Sequence, residues 1–365
     1  MKNIGILTFH RAFNYGAVLQ AYALRITFIR LNCKCDIINY SSYIDEDYNI
    51  TPKYKGSVKE FIFDFFRIYP KFMKKRKFIG FYKNFLNVDF NNTIDINLLN
   101  GLNEIYDLFV SGSDQVFNLN LTNGDKTYFL DFVTDSSKKF SYSASFGLSY
   151  LNTDDKNLYT TLLAGFNKIS VREIQGQKII KDLLNIEPDI TLDPSFLLDK
   201  ETWKEKAVPN KYSDYILLYT ISLPDRVLKF AENLSRTTGY KLIFITSALK
   251  RKIKADYIIC SPQEWLGYFL NAKYIVTNSF HGTAFAINFN KKFFVDLFSE
   301  TPMASVNSRI ENILKLFQLE NRLIDNIKSD YNKEIDYEAV NRILETERKK
   351  SIDYLKKIIE QKRAE

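Results

Sequence analysis

The chain opens with a short apolar alternation over residues 3–9 and a polar turn at residues 10–16. The stretch AVLQAYAL then begins a helix that runs to about residue 31, with apolar residues nearly all round it. A helix of that kind is buried on every side. Apolar residues 35–40 read as the next strand, and strand, helix and strand in such close succession form a parallel βαβ unit.

The pattern then repeats. Apolar runs at 106–110, 139–145, 168–171 and 190–192 predict strands, and a second series follows at 215–221, 241–246, 257–259, 274–277 and 292–297. Helices fall between them, for example at 225–238 and at 263–271, the latter capped by Ser261 with Pro262 at its first position. A polar stretch at 200–214 separates the two series, and a charged amphipathic helix at about 336–361 closes the chain. The expected organisation is an α/β domain over 1–205, a second over 206–335, and a terminal helical segment over 336–365.

Composition narrows the class. A chain of 365 residues is too long for one ordinary core, and 45% hydrophobic with 26% charged residues is ordinary for a globular protein. Aromatics reach 15%, enough for large cores and for surfaces that stack on sugars, while Gly 13 and Pro 8 argue against long flexible linkers. The first residues read as a strand rather than a signal peptide, and no run approaches the roughly 18 apolar residues of a spanning helix. Cys33, Cys35 and Cys260 read as reduced thiols of a cytoplasmic protein, and no cluster suggests a metal site.

Lys and Arg total 51 against 43 for Asp and Glu, a net charge of +8 that favours anionic ligands or an anionic membrane face. No nucleic-acid module accompanies that charge. Residues 58–90, within an insertion at about 55–90, are dense in Phe, Tyr, Lys and Arg. They fit either a helix lying on an anionic membrane surface or an amphipathic insertion packed on the first domain. The second reading is favoured, because aromatic stripes at helical spacing usually face a core.

Ligands of parallel α/β sheets bind beyond the carboxyl ends of the strands. That rule marks five loops: 8–16, 110–118, 143–147, 170–173 and 277–283. The only two histidines, His10 and His281, both lie in these loops, one in each half. Histidine is the usual proton donor or acceptor near neutral pH, so both are candidate site residues. Ser111, Gly112 and Ser113, ahead of Asp114, offer amides and hydroxyls suited to a phosphate or carboxylate, or else form a tight turn. Arg172 and Arg309 are each either a structural ion pair or a fork for an anion.

At these loops the chain resembles the polysaccharide pyruvyl transferase family. The matching stretches are GILTFHRAFNYGAVLQAYAL from Gly5, DLFVSGSDQVFN from Asp107, residues 143–147, SVRE from Ser170, LDPSFLL from Leu192, VTNSFHGT from Val276, and residues 308–314. The resemblance implies a fold similar to GT-B glycosyltransferases, two doubly wound Rossmann-like halves facing across a cleft, with the last helix packing back on the first. It implies transfer of a pyruvyl group from phosphoenolpyruvate to two hydroxyls of one sugar of a surface or capsular polysaccharide, or of its polyprenyl-diphosphate-linked precursor. No cofactor or metal is implied beyond that donor.

The family's central histidine matches His281. Where some members carry an arginine two positions earlier, Ser279 stands here, so anion binding falls to Arg172, Arg309 and Arg11. The implied catalytic set is His281, Asp114 and His10. Arg172, Ser111, Gly112, Ser113, Ser279 and Arg309 would hold the donor, and Asn14, Tyr15 and Arg11 the acceptor. The implied setting is cytoplasmic, at the inner face of the membrane where the acceptor is lipid-linked. A nucleotide-sugar glycosyltransferase and a non-catalytic glycan-binding protein are the competing readings, because a fold does not fix its chemistry.

Overall fold

The computed structural model describes residues 1–41, 58–247, 253–298, 307–327 and 331–361, with backbone alone over 58–67. It is an α/β protein with two parallel sheets, as the alternation of strand and helix patterns predicts. In the first half, β1 (Asn3–Leu7), β2 (Lys34–Ile37), β3 (Leu108–Ser111) and β4 (Lys139–Ser141) lie in the order β2-β1-β3-β4. The short pair β5 (Ser170–Val171) and β6 (Asp189–Ile190) continues it through the single bridges Phe140 to Lys168 and Ala144 to Val171. In the second half, β7 (Tyr215–Tyr219), β8 (Lys241–Ile245), β9 (Asp256–Ile258), β10 (Tyr274–Thr277) and β11 (Lys292–Val295) run β11-β10-β7-β8-β9.

Where boundaries differ from the pattern, the backbone gives the reason. The apolar run 139–145 ends its ladder at Ser141: Ser143 adopts φ 51°, and pairing resumes in the same register only at the single bridge of Asp114 to Ala144. Helix α1 (Tyr15–Arg30) begins inside the polar turn, because the Asn14 side chain accepts from the amides of Gly16 and Ala17 at 2.9 and 3.3 Å. Twelve of its residues are buried, Tyr15 and Val18 among them. One apolar cluster accordingly joins α1 to Tyr219, Trp265 and Phe285 of the second half.

Helix α2 (Val58–Phe81) and the π turn Tyr82–Leu86 form the aromatic, basic insertion. The side chains of 58–67 lie outside the described residues. Phe78, Phe81, Tyr82 and Leu86 are buried in the shared cluster, whereas Tyr69 and Phe72 are half exposed on the other side. Helices α3 (Lys156–Ala164), α4 (Ile174–Leu184) and α5 (Lys200–Lys206) complete the first half. Then come α6 (Asp225–Thr238), α7 (Pro262–Asn271), α8 (Phe280–Asn288) and α9 (Asn307–Leu316). Ser261 and Glu264 form a reciprocal capping box at the start of α7.

The last helix, α10 (Tyr337–Glu360), crosses to the first half. Arg348 Nε donates to the Phe196 carbonyl at 2.6 Å and Tyr354 OH to the Ser141 carbonyl at 2.8 Å. The Leu192 amide donates to Ser351 Oγ at 2.9 Å. Among the described residues no helix is long and apolar enough to cross a membrane.

Candidate functional site

The loops at the strand ends converge where the two halves meet. Thr8 Oγ1 donates to the Ser113 carbonyl at 2.8 Å and accepts from Gln20 at 2.9 Å, tying the first two loops to α1. Gly16, in the first turn of that helix, is pressed against His281. A Cβ at Gly16 would lie 2.2 Å from both Cγ and Nδ1 of the ring, so only glycine admits the imidazole there. His281 is the second residue of α8 and is buried. Ser279, the N-cap of that helix, spends its hydroxyl oxygen on the Gly282 amide at 3.3 Å.

Asp193 is the hub. Its Oδ1 accepts from the Ser195 amide at 3.0 Å. Its Oδ2 accepts from Ser113 Oγ at 2.9 Å and Arg172 Nη1 at 2.8 Å, and lies 3.6 Å from His281 Nε2. Burial by itself would raise this carboxyl. The neighbouring His281, the Arg172 charge and the Ser195 amide outweigh it and hold Asp193 far below the usual carboxylate range. It stays ionised at any working pH.

Arg172 lies over the Phe280 ring at 4.3 Å, with Nη2 3.8 Å from Asp114 Oδ1 and Nε 3.8 Å from Glu173 Oε2. Glu173 is itself fixed, accepting from Ser145 Oγ at 2.7 Å and the Phe146 amide at 3.1 Å. Arg309 approaches the same Asp114 oxygen at 3.8 Å. Among the described residues Nε and Nη2 of Arg172 and Nε of Arg309 are buried without a hydrogen-bond partner. Burial and then the neighbouring Arg172 charge lower the Arg309 guanidinium to about 10. Both arginines line a cavity of about 270 Å³ with apolar walls that include Leu192, Phe196 and Ile313.

Two guanidiniums held together with unused N–H groups form an energetically incomplete arrangement, because buried charge is costly unless it is paired and hydrogen-bonded. An anion with several oxygens would complete it, and bidentate geometry is what arginine supplies best. Asp114 stands between them with φ 76°, a left-handed conformation uncommon outside glycine. Its carbonyl holds it there by accepting from the amides of Val116 and Ser145 at 2.8 and 2.9 Å. No three His, Cys, Asp or Glu side chains among the described residues are grouped to hold a metal ion.

Of the residues singled out in the sequence, the structure gathers Ser113, Asp114, Arg172, His281 and Arg309 around Asp193, with Asn14 capping the adjacent helix. The others are placed differently. His10 is buried, with Nδ1 2.9 Å from the Thr8 carbonyl and Nε2 3.2 Å from Asn39 Oδ1. Two acceptors suit a cation, but burial prevails and lowers its pKa to about 4. Arg11 donates to Asn39 Oδ1 and to the Phe90 carbonyl, both at 3.0 Å, and covers the Phe90 ring. Ser111 Oγ donates to the Tyr128 carbonyl at 2.7 Å, and the Gly112 amide to the Leu7 carbonyl at 2.8 Å, so neither cradles a ligand. Tyr15 OH donates to the Cys260 carbonyl at 3.0 Å, while its ring stacks on Trp265.

Asp193 and Glu173 were legible only as letters of the LDPSFLL and SVRE stretches. The usable signal was an acid immediately before a proline at a strand end, since the proline starts a turn that the acid caps.

A family model for polysaccharide pyruvyl transferase matches residues 14–295 of the chain. No curated protein matches it. Among solved structures it is similar to the UDP-GlcNAc 2-epimerase of Methanocaldococcus jannaschii, at 13% identity over 94% of this chain and 92% of that one, with a TM-score of 0.47. It is also similar to MurG of Acinetobacter baumannii, at 8% identity over 97% and 95% of the two chains, with a TM-score of 0.40.

Proposed function

The chain belongs to the polysaccharide pyruvyl transferase family, and from that premise we propose that it transfers the pyruvyl group of phosphoenolpyruvate to a sugar of a surface polysaccharide or its lipid-linked precursor. The observation that carries this reading is the pair Arg172 and Arg309, buried side by side with unused N–H groups next to His281 and Asp193. Phosphoenolpyruvate presents a carboxylate and a phosphate on one small carbon, the class of ligand such a pair grips.

In the proposed reaction a proton is delivered to the donor's methylene carbon and leaves an oxocarbenium centre. One sugar hydroxyl adds and loses its proton. The carbon–oxygen bond to phosphate then breaks, its electron pair and a proton leaving with the phosphate. The second hydroxyl adds and loses its proton, closing a ketal. Two protons are consumed and two released. His281 is the proposed proton carrier, with Asp193 as the positioning residue that fixes its ring and the Arg172 fork. Asp114, 14% exposed beside both arginines, is the proposed acceptor of a hydroxyl proton.

Thermal unfolding with phosphoenolpyruvate, and separately with a panel of nucleotide-sugars, tests the reading without knowledge of the acceptor. At 100 times its dissociation constant the donor adds about 2.7 kcal/mol of stability. The expected result is a raised midpoint for the wild type, no shift for Arg172→Ala, and a retained shift for His281→Ala, whose turnover is lost. Stabilisation by nucleotide-sugars instead of phosphoenolpyruvate overturns it. Contact of the basic helix α2 with an anionic membrane is a second proposal, checked by flotation with anionic vesicles; failure to float ends it.

A further inference from the structure

A second cavity, of about 210 Å³, lies between the halves and is lined by neither arginine. Its walls include Phe13 and Tyr15 from the first loop, Lys74 from α2, and Tyr219, Thr220 and Ser247 from the ends of β7 and β8. No carboxylate is among its described lining residues. The Lys74 ammonium stands 5.2 Å from the centre of the Tyr15 ring and 5.6 Å from that of Phe78, and forms no ion pair or hydrogen bond among the described residues. Lys77, three residues further along the same helix, is by contrast paired with Glu264 at 2.7 Å. Thr220 Oγ1 is buried and also lacks a partner. Burial between the rings lowers Lys74 to about 8.

A cation with no anionic partner and a stranded hydroxyl in one walled space ask for an anion carried on a group that offers a further hydrogen-bonding oxygen. The location adds a constraint. Tyr15 lines this cavity, and the next residue, Gly16, is the one pressed against His281. The first-loop wall of this cavity thus adjoins in sequence the glycine that packs on the imidazole.

We infer that this inter-half cavity is an acceptor subsite for a phosphate-bearing sugar, with Lys74 on the phosphate, Thr220 on a sugar or phosphate oxygen, and Tyr15 and Tyr219 walling the space around the ring. The inference rests on the pyruvyl transferase reading for the word acceptor, but the binding site stands on its own geometry. Lys74 is then the specificity-determining residue that separates phosphorylated from neutral sugars.

The test is isothermal titration of the full chain with glucose 1-phosphate and N-acetylglucosamine 1-phosphate, with the two parent sugars and inorganic phosphate as controls. The variants are Lys74→Gln, Lys74→Arg and Arg172→Ala, each first checked for folding by circular dichroism. Losing a charged hydrogen-bonding partner weakens binding by roughly tenfold to a hundredfold. The expected result is that loss in Lys74→Gln, near-complete rescue in Lys74→Arg, and unchanged sugar phosphate binding in Arg172→Ala. Phosphoenolpyruvate shows the reverse dependence, so a failure of the donor reading is distinguishable from a failure of this one. Tighter binding of a short-chain prenyl-diphosphate sugar assigns the phosphate to a lipid carrier, and equal binding assigns it to a soluble sugar phosphate; both support the subsite. Equal affinities of wild type and Lys74→Gln, or no binding of any phosphorylated sugar, overturn it.

Discussion

At the scale of single residues, the two histidines part company. Both sit where a strand ends, and the sequence treats them alike. His281 lies against a helix start and 3.6 Å from a buried carboxylate, while His10 is enclosed, with its pKa lowered to about 4. The consequence for His10 is a pH-dependent stability. Between pH about 4 and the ordinary 6.5, the unfolded chain binds a proton that the folded one refuses, so stability is lost as pH falls through that window. The full effect is roughly 3 kcal/mol, at about 1.4 kcal/mol per unit. His10→Gln, measured by urea denaturation at pH 7 and pH 4.5, is expected to flatten this dependence; an unchanged slope would show that His10 is not its source. Asp193 teaches the opposite lesson, because one acid among 43 acidic residues has no individual signature until four partners surround it.

At the scale of elements, two helix starts make the site. Helix α1 and helix α8 are capped by Asn14 and Ser279 respectively, and Gly16 and His281 touch where the helices meet. Gly16→Ala is therefore expected to displace the imidazole rather than the helix. Overpacking of this kind costs about 1–3 kcal/mol, and a misplacement near 1 Å lowers turnover by roughly 100-fold. Phosphate release under saturating donor, set beside the donor-induced thermal shift, checks this. The expected outcome is lost turnover with a retained shift, and wild-type turnover would contradict the contact. The helical spacing of residues 58–90 predicted an amphipathic insertion, and Phe78, Phe81 and Tyr82 are indeed buried. That Lys74 of this insertion would look into the space between the halves was not legible, because spacing gives a face but not what stands opposite it.

At the scale of the whole molecule, the halves share one apolar cluster, and α10 fastens the second half to the first. Equilibrium unfolding in urea is therefore expected to show a single transition when followed by both fluorescence and circular dichroism. Two resolved transitions would mean that the halves fold separately. Tyr354→Phe, which removes the bond to the Ser141 carbonyl, is expected to lower the stability of that one transition by about 1 kcal/mol. In the same experiment a destabilisation confined to part of the signal would separate α10 from the common core.

The sequence by itself determined the parallel α/β class, the strand and helix series, the cap at Ser261, and which loops lie at strand ends. These follow from hydrophobic period and local hydrogen bonding, which act between residues close in the chain. It also carried the family, through GILTFHRAFNYG and VTNSFHGT together. Only the tertiary structure decided which loop residues face one another. Asp193 meets Arg172, Ser113 and His281 across 21, 80 and 88 positions of chain, and Tyr15 meets Lys74 across 59. Such contacts depend on how two sheets are laid against each other, and the balance of burial against charge at His10, Arg309 and Lys74 exists only once that packing has removed the water.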